Sequence, residues 1–135
     1  MRTHRLQINT GHQRNILDLS GEVNSFLKGT SDGLVNILVP HATAGLAIME
    51  LGSGSEADLW DRLDFLLPRE DRYRHSHGSK GHGADHIVPA FLAPTLTLPV
   101  ISGRVLLGTW QSIALVDPNV DNPHREVLLA FLSSQ

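Results

Sequence analysis

The chain has 135 residues, 41% of them hydrophobic and 19% charged, with a formal net charge of −3. That balance describes one soluble domain, residues 1–135, long enough to bury roughly two-thirds of its unfolded surface, and it excludes a general affinity for nucleic acid or an anionic membrane. Cysteine is absent, which removes disulfides and thiolate chemistry, and with neither an apolar leader nor a bilayer-length apolar run the expected location is cytoplasmic.

In chain order, Arg5–Asn9 and Asn15–Leu19 alternate as half-buried strands, and Gly11-His12 between them predicts a hairpin turn. Ser20 is the expected N-cap of a short helix, with Leu19, Val23, Phe26 and Leu27 at helical spacing, which Gly29 ends. Leu34–Val39 is nearly continuous in apolar character and is expected as a central strand stopped by Pro40; Ala44–Leu51 follows as another. Ser55-Glu-Ala-Asp58 has the form of a capping box, ahead of a helix displaying Leu59, Trp60, Leu63, Leu66 and Leu67 and closed by Pro68. Residues 69–85 form a polar, glycine-rich loop. Beyond a mixed segment to Pro94, strands are predicted at Thr95–Ile101, Val105–Leu107, Thr109–Val116 and Glu126–Leu132, with turns at Gly103 and Asp117–Pro123. The connections are too short for crossover helices, so the fold class is α+β: packed, mostly antiparallel sheets with two or three short helices.

Two glycine motifs fail on context. Gly29-Thr-Ser31-Asp-Gly33 matches a nucleophile elbow but runs from helix into strand, the reverse of what exposes that serine. Gly52-Ser-Gly54-Ser-Glu-Ala57 matches a dinucleotide fingerprint, yet a polar loop replaces the return strand the fingerprint needs. Its helix start retains only the generic attraction of a helix N-terminus for anions.

Histidine is the unusual feature. Four of the eight, His75, His77, His82 and His86, fall in the polar loop and its end, and a fifth, His41, opens the segment His41-Ala-Thr43-Ala-Gly45. An imidazole is the commonest metal ligand and titrates near neutral pH, and three imidazoles with an open fourth position make a catalytic zinc site. His75 and His77 share one face if extended. His82 and His86 have helical spacing, but Gly81 and Gly83 argue against a helix there. Spacing alone leaves the ligand pairs open. Trp110-Gln111 is expected within a strand, tryptophan there being more often core than ligand platform, and Arg125 is expected as an exposed guanidinium whose fork suits phosphate.

These residues in this order resemble the YjbQ family, also labelled secondary thiamine-phosphate synthase: His41-Ala-Thr43-Ala-Gly45, Glu50, Tyr73-Arg-His75, Ala84-Asp-His86, Gly103-x4-Gly108-Thr-Trp-Gln111, and the Asp-containing turn with Arg125. The resemblance spans nearly the whole chain. It implies packed antiparallel sheets, a homotrimer, and a cleft gathering His41, Glu50, His75, His86 and Arg125 as catalytic residues with Thr43, Trp110 and Gln111 for substrate. It also implies a divalent metal, zinc or magnesium, on His41, His75 and His86, and leaves His77 and His82 as solvated bystanders. The chain departs from the family pattern in having His-Ala-Thr where His-Thr-Thr or His-Ser-Thr is common, and in lacking a Glu-Gly-Asn run after His75.

The implied activity joins hydroxymethylpyrimidine diphosphate to thiazole phosphate with release of pyrophosphate. Arg125 and the metal would meet the leaving diphosphate, Trp110 would stack on the pyrimidine, and Glu50 or a histidine would move protons. The alternatives are a metal-dependent hydrolase of a phosphorylated metabolite and a non-catalytic trimeric module that binds metabolite or metal.

Overall fold

The computed structural model describes all residues, 1–135. Strand β1 (Arg2–Asn9) is followed by β2 (Asn15–Asp18), α1 (Ser20–Leu27), β3 (Gly33–Leu38), β4 (Gly45–Met49) and α2 (Ser55–Leu66). Then come two single-turn helices, α3 (His82–Asp85) and α4 (Val88–Phe91), and the strands β5 (Thr95–Ile101), β6 (Arg104–Val105), β7 (Ser112–Asp117) and β8 (His124–Ser133). Every strand pairing is antiparallel, and the strands form a five-stranded sheet, β1-β8-β3-β5-β6, and a three-stranded sheet, β2-β7-β4. The expected α+β class holds.

Strand alternation builds the core. Val35 and Ile37 of β3 and Val127, Leu129 and Phe131 of β8 are buried at every second position, and they meet Leu46 of β4 and Ile113 and Leu115 of β7 in one apolar cluster. Helix α1 contributes Val23, Phe26 and Leu27 to the same cluster. A fully buried aliphatic side chain of this kind is worth roughly 1.5–3 kcal/mol, so the two facing sheets are the principal apolar contribution. A second, smaller cluster of Leu67, Ala84 and Val88, with Tyr73, Ile87 and Leu92 against it, ties the segment between β4 and β5 together.

Four local expectations are corrected. Gly11-His12 does not close a hairpin, because β1 pairs with β8 and β2 with β7, in different sheets. The turn carries the chain between sheets instead, with Gly11 at φ +66° and the Thr10 N–H donated to the Pro123 carbonyl at 2.8 Å. Ser20 does not cap α1. Its Oγ accepts the Ile113 N–H at 2.9 Å, and Asp18 Oδ1 accepts the Ser20 N–H at 2.8 Å. The Ser55 capping box is absent too: Gly54 in the left-handed region is the N-cap of α2, and Glu56 Oε1 accepts the Gly52 N–H at 2.6 Å. Thr109 and Trp110 belong to the turn before β7, which starts at Ser112. Glycine and serine at these places report a change of direction; the tertiary partner decides which polar group closes it.

Strand β7 is the middle strand of its sheet and is buried along Ile113–Asp117. The turn that follows it, Pro118–Pro123, is where the sheet meets the histidine loop.

Candidate functional site

The loop after α2 is anchored at both ends. The Tyr73 hydroxyl donates to the Pro68 carbonyl at 2.8 Å, and Arg69 pairs with Asp85, whose side chain is fully buried. Gly83 lets the loop backbone lie on α3: a Cβ there would sit 2.6 Å from the His75 carbonyl oxygen and 2.7 Å from the Tyr73 Cβ. Helix α3 forms despite its glycines, contrary to the sequence expectation. Gly81 supplies the left-handed N-cap, at φ +88°, and the buried Asp85 and Ala84 supply the tertiary contacts that outweigh roughly 1 kcal/mol of intrinsic glycine cost.

The result is convergence of His75, His77, His82 and His86, one ligand nitrogen from each lying within 4.8 Å of the others. His82 and His86 present Nε2 atoms 3.0 Å apart. The His75 ring stands 4.1 Å from that of His77 and 4.0 Å from that of His86, centroid to centroid. His77 and His82, expected as solvated bystanders, are therefore members of the cluster. Helical spacing brings His82 onto His86, and the turn at Gly78, at φ +80°, leaves the His77 ring 4.8 Å from that of His82. His75 and His77 are exposed, whereas His82 and His86 are only partly so.

Desolvation, followed by the neighbouring imidazoles, lowers the pKa of both His75 and His86 below 6.5. These rings are neutral at physiological pH and offer lone pairs.

Beneath the cluster lies a polar chain that sequence reasoning missed. Asn119 is buried at 1% exposure. Its N–H donates to Asp117 Oδ1 at 3.0 Å, and its side-chain amide donates to Asp85 Oδ2 at 3.3 Å and lies 3.1 Å from His82 Nδ1. Its Oδ1 accepts the N–H groups of Asp121 and Asn122. Asp121 in turn stands 2.9 Å from His82 Nδ1. Asp and Asn in a turn ordinarily bond their own backbone, so nothing in the sequence distinguished these residues from turn formers.

Arg125 is not the exposed guanidinium expected. It is 3% exposed; its Nε donates to Asp117 Oδ2 at 2.7 Å, and its Nη2 donates to Asp117 Oδ1 at 3.0 Å and Thr43 Oγ1 at 2.8 Å. His41 lies beside this pair and accepts the Glu126 N–H on Nε2 at 2.9 Å. Burial, then the Arg125 charge, holds its pKa below 6.5. His41 is not among the four clustered histidines.

The remaining candidates lie at the other end of the three-stranded sheet. In the β4–β7 ladder Gly45 faces Val116 at the Thr43 end and Met49 faces Ser112 at the Glu50 end, a separation of about 13 Å along the strand. Glu50 accepts the Ser53 hydroxyl at 3.1 Å, and Gln111 Oε1 accepts the Gly108 N–H at 2.8 Å. Trp110 is 73% exposed rather than core. Within one chain, Glu50, Trp110 and Gln111 thus form one group, and Thr43, Arg125 and His41 another. The largest surface groove, about 520 Å³ between β1 and α1 and lined by Arg2, His4, Leu6, Glu22 and Phe26 among others, contains none of them.

The sequence profile of the family described as UPF0047 protein YjbQ-like matches residues 4–134. A UPF0047 protein of Mycobacterium tuberculosis is 58% identical over 132 residues, which is 98% of each chain. The UPF0047 protein YugU of Bacillus subtilis is 34% identical over 112 residues, 80% of this chain and 83% of that one. Among solved structures, a Sulfolobus solfataricus protein described as YbjQ-like and of unknown function superposes with a TM-score of 0.90 at 22% identity, covering 98% of this chain and 97% of that one. An Aeropyrum pernix hypothetical protein superposes at 0.87 with 28% identity, covering 99% and 100%.

Proposed function

Because the chain belongs to the UPF0047 YjbQ-like family, whose residue pattern it carries, we propose that it is a metal-dependent enzyme acting on a small phosphorylated metabolite at its histidine cluster. The observation behind this reading is the approach of four imidazoles with one nitrogen each inside 4.8 Å. The donors suit a cation. Tetrahedral zinc–nitrogen bonds set ligand nitrogens about 3.3 Å apart, and His82 and His86 already stand at 3.0 Å. An all-imidazole donor set favours zinc-class ions over magnesium, which requires oxygen ligands. The ligands proposed are thus drawn from His75, His77, His82 and His86, three of them holding the ion and leaving its fourth position to substrate, in place of a set that includes His41. A divalent cation held there would supply Lewis-acid polarisation of a phosphoryl oxygen.

The protein's own groups do the rest. His82 stands against Asp121 and the buried Asn119–Asp85 pair, and His86 against His82, which fixes their side of the site. His75 and His77 are solvent-exposed and open the other side to substrate. Thiamine-phosphate synthesis is one specific reaction in this reading, supported by the family pattern: the carbon–oxygen bond to the diphosphate breaks, the carbon–nitrogen bond to the thiazole forms, and pyrophosphate leaves. Hydrolysis of a phosphorylated metabolite is the other, and the buried state of Arg125 favours it. The guanidinium assigned to the leaving diphosphate is already engaged by Asp117 and Thr43.

The deciding experiment is metal analysis of tag-free protein, followed by assays of pyrophosphate release from the two thiamine precursors and of phosphate release from phosphorylated metabolites. Stoichiometric metal that disappears in His82→Ala and His86→Ala, with turnover lost in parallel, is the expected result. Trace metal indifferent to both substitutions overturns the centre; bound metal and phosphate with no turnover replaces the enzyme with a binding module. A homotrimeric assembly belongs to the same reading, supported by the exposed apolar side chains Leu34, Leu132 and Trp110, at 46%, 58% and 73%.

A further inference from the structure

Asp121 Oδ2 stands 2.9 Å from Nδ1 of His82 and also accepts the Ser79 N–H at 3.1 Å. Two groups therefore compete for His82 Nδ1: this carboxylate and the side-chain amide of Asn119, at 3.1 Å. They demand opposite tautomers, since a carboxylate can only accept from Nδ1–H and an amide N–H can only donate to a bare Nδ1. The carboxylate prevails. A hydrogen bond to an ionised group is roughly twice as strong as a neutral one, a bare Nδ1 would set its lone pair against a negative oxygen, and the Asn119 amide has the Asp85 carboxylate as another acceptor at 3.3 Å. With the proton on Nδ1, Nε2 is a free lone pair, and Nε2 is the atom that faces His86.

Backbone geometry at Gly78 is an independent sign that the loop is shaped around this pair. Gly78 sits at φ +80°, and a Cβ there would lie 2.8 Å from Asp121 Oδ2, 2.8 Å from His82 Cγ and 3.1 Å from His82 Nδ1. A side chain at position 78 would occupy the space through which carboxylate and imidazole meet. The amide of Asn119 completes the support by accepting the Asp121 and Asn122 N–H groups, which fixes the turn from which Asp121 projects.

We propose that Asp121 is the positioning residue of the histidine centre, holding His82 as the Nδ1–H tautomer with Nε2 turned inward, and that glycine at 78 is the condition for that contact. The proposal rests on the reading of the four histidines as a metal centre. Outer carboxylates of this kind orient a ligating imidazole and raise its basicity, and their loss typically lowers metal affinity 10- to 100-fold.

Three measurements test it on the full chain. Two-bond nitrogen–proton correlation NMR of the metal-free protein reports the His82 tautomer: Nδ1–H in the wild type, lost or mixed in Asp121→Asn, is expected, and an Nε2–H wild type overturns the proposal. Zinc affinity by chelator competition is expected to fall roughly 10- to 100-fold in Asp121→Asn and in Gly78→Ala, with partial recovery in Asp121→Glu. Wild-type affinity in Asp121→Asn, while His82→Ala abolishes binding, overturns it. The absorption spectrum of the cobalt-substituted protein is expected to shift in Asp121→Asn at an unchanged melting temperature, which separates positioning from mere folding. If wild-type protein binds neither zinc nor cobalt, the metal reading fails, while the tautomer measurement still decides whether Asp121 orients His82.

Discussion

Arg125 and Asp117 form a bidentate pair with almost no access to water: Nε to Oδ2 at 2.7 Å and Nη2 to Oδ1 at 3.0 Å, the side chains 2% and 0% exposed. Breaking such a pair from one side leaves a buried charge without its partner, which costs about 3–5 kcal/mol. Arg125→Ala and Asp117→Asn are each expected to lower the unfolding free energy by that amount in urea titrations. A double replacement with Met at 125 and Leu at 117 is expected to cost much less than the sum. Loss of phosphate binding in Arg125→Ala at wild-type stability would return the residue to a substrate-binding role.

His41 couples stability to pH. Its folded pKa lies below 6.5 through burial and the Arg125 charge, so the unfolded chain binds more protons than the folded one as the solution is acidified. Stability is then fully present above pH 6.5 and declines as pH falls through the folded value. Protonation would also place a second N–H against the Glu126 N–H that Nε2 accepts. Unfolding free energies of the metal-free protein measured at steps from pH 7.5 to pH 5 should decrease, and His41→Asn should flatten that slope. A pH-independent profile, or an unchanged slope in the variant, contradicts this.

Gly83 is a steric rather than a conformational requirement, because no positive φ is involved. Its missing Cβ makes room for the His75 carbonyl and the Tyr73 Cβ at 2.6 and 2.7 Å. Gly83→Ala is expected to destabilise by roughly 1–3 kcal/mol as an overpacking substitution and to weaken zinc binding by displacing His75. Gly29→Ala is the comparison: φ there is +78° with nothing within 4 Å of the added carbon, so a modest stability loss with unchanged zinc affinity is expected. Equal effects of the two on zinc would deny the His75 contact.

The exposed outer face of β3 and β8 places Leu34 opposite Leu132. Light scattering coupled to size exclusion is expected to give three times the chain mass, and Leu132→Arg is expected to reduce it without changing the far-ultraviolet dichroism. A monomeric wild type ends the trimer reading.

What was legible in the sequence was whatever depended on apolar pattern. Alternation marks β1 and β2, and near-continuous apolar runs mark β3 and β8, although only Val35 and Ile37, and Val127, Leu129 and Phe131, turn out to be fully buried in those two strands. Turn chemistry was less informative: Gly11 marks a reversal, but the choice between a hairpin and a transfer between sheets is made by Pro123, more than a hundred residues away. The site followed the same division. The family pattern singles out His75 and His86, and the structure brings both into the four-histidine cluster. His77 and His82 match no position of the family pattern and so read as solvated, and glycine propensity argues against a helix at His82; Asp85, whose burial against Arg69 and Asn119 holds α3 in place, overrides it. Arg125 was judged by the usual habits of its residue type, and those habits do not reveal an Asp eight positions upstream, on the neighbouring sheet, waiting to neutralise it.

The turn that carries Asn119 and Asp121 leaves directly from β7, the strand buried along its length in the middle of its sheet. His82 is therefore referenced directly to that strand, and His86 through its contact with His82, whereas His75 and His77 lie on an exposed span of chain. If these imidazoles hold an ion, it would meet one buttressed wall and one open to solvent: the first would set where it rests, and the second would give the route by which it is exchanged.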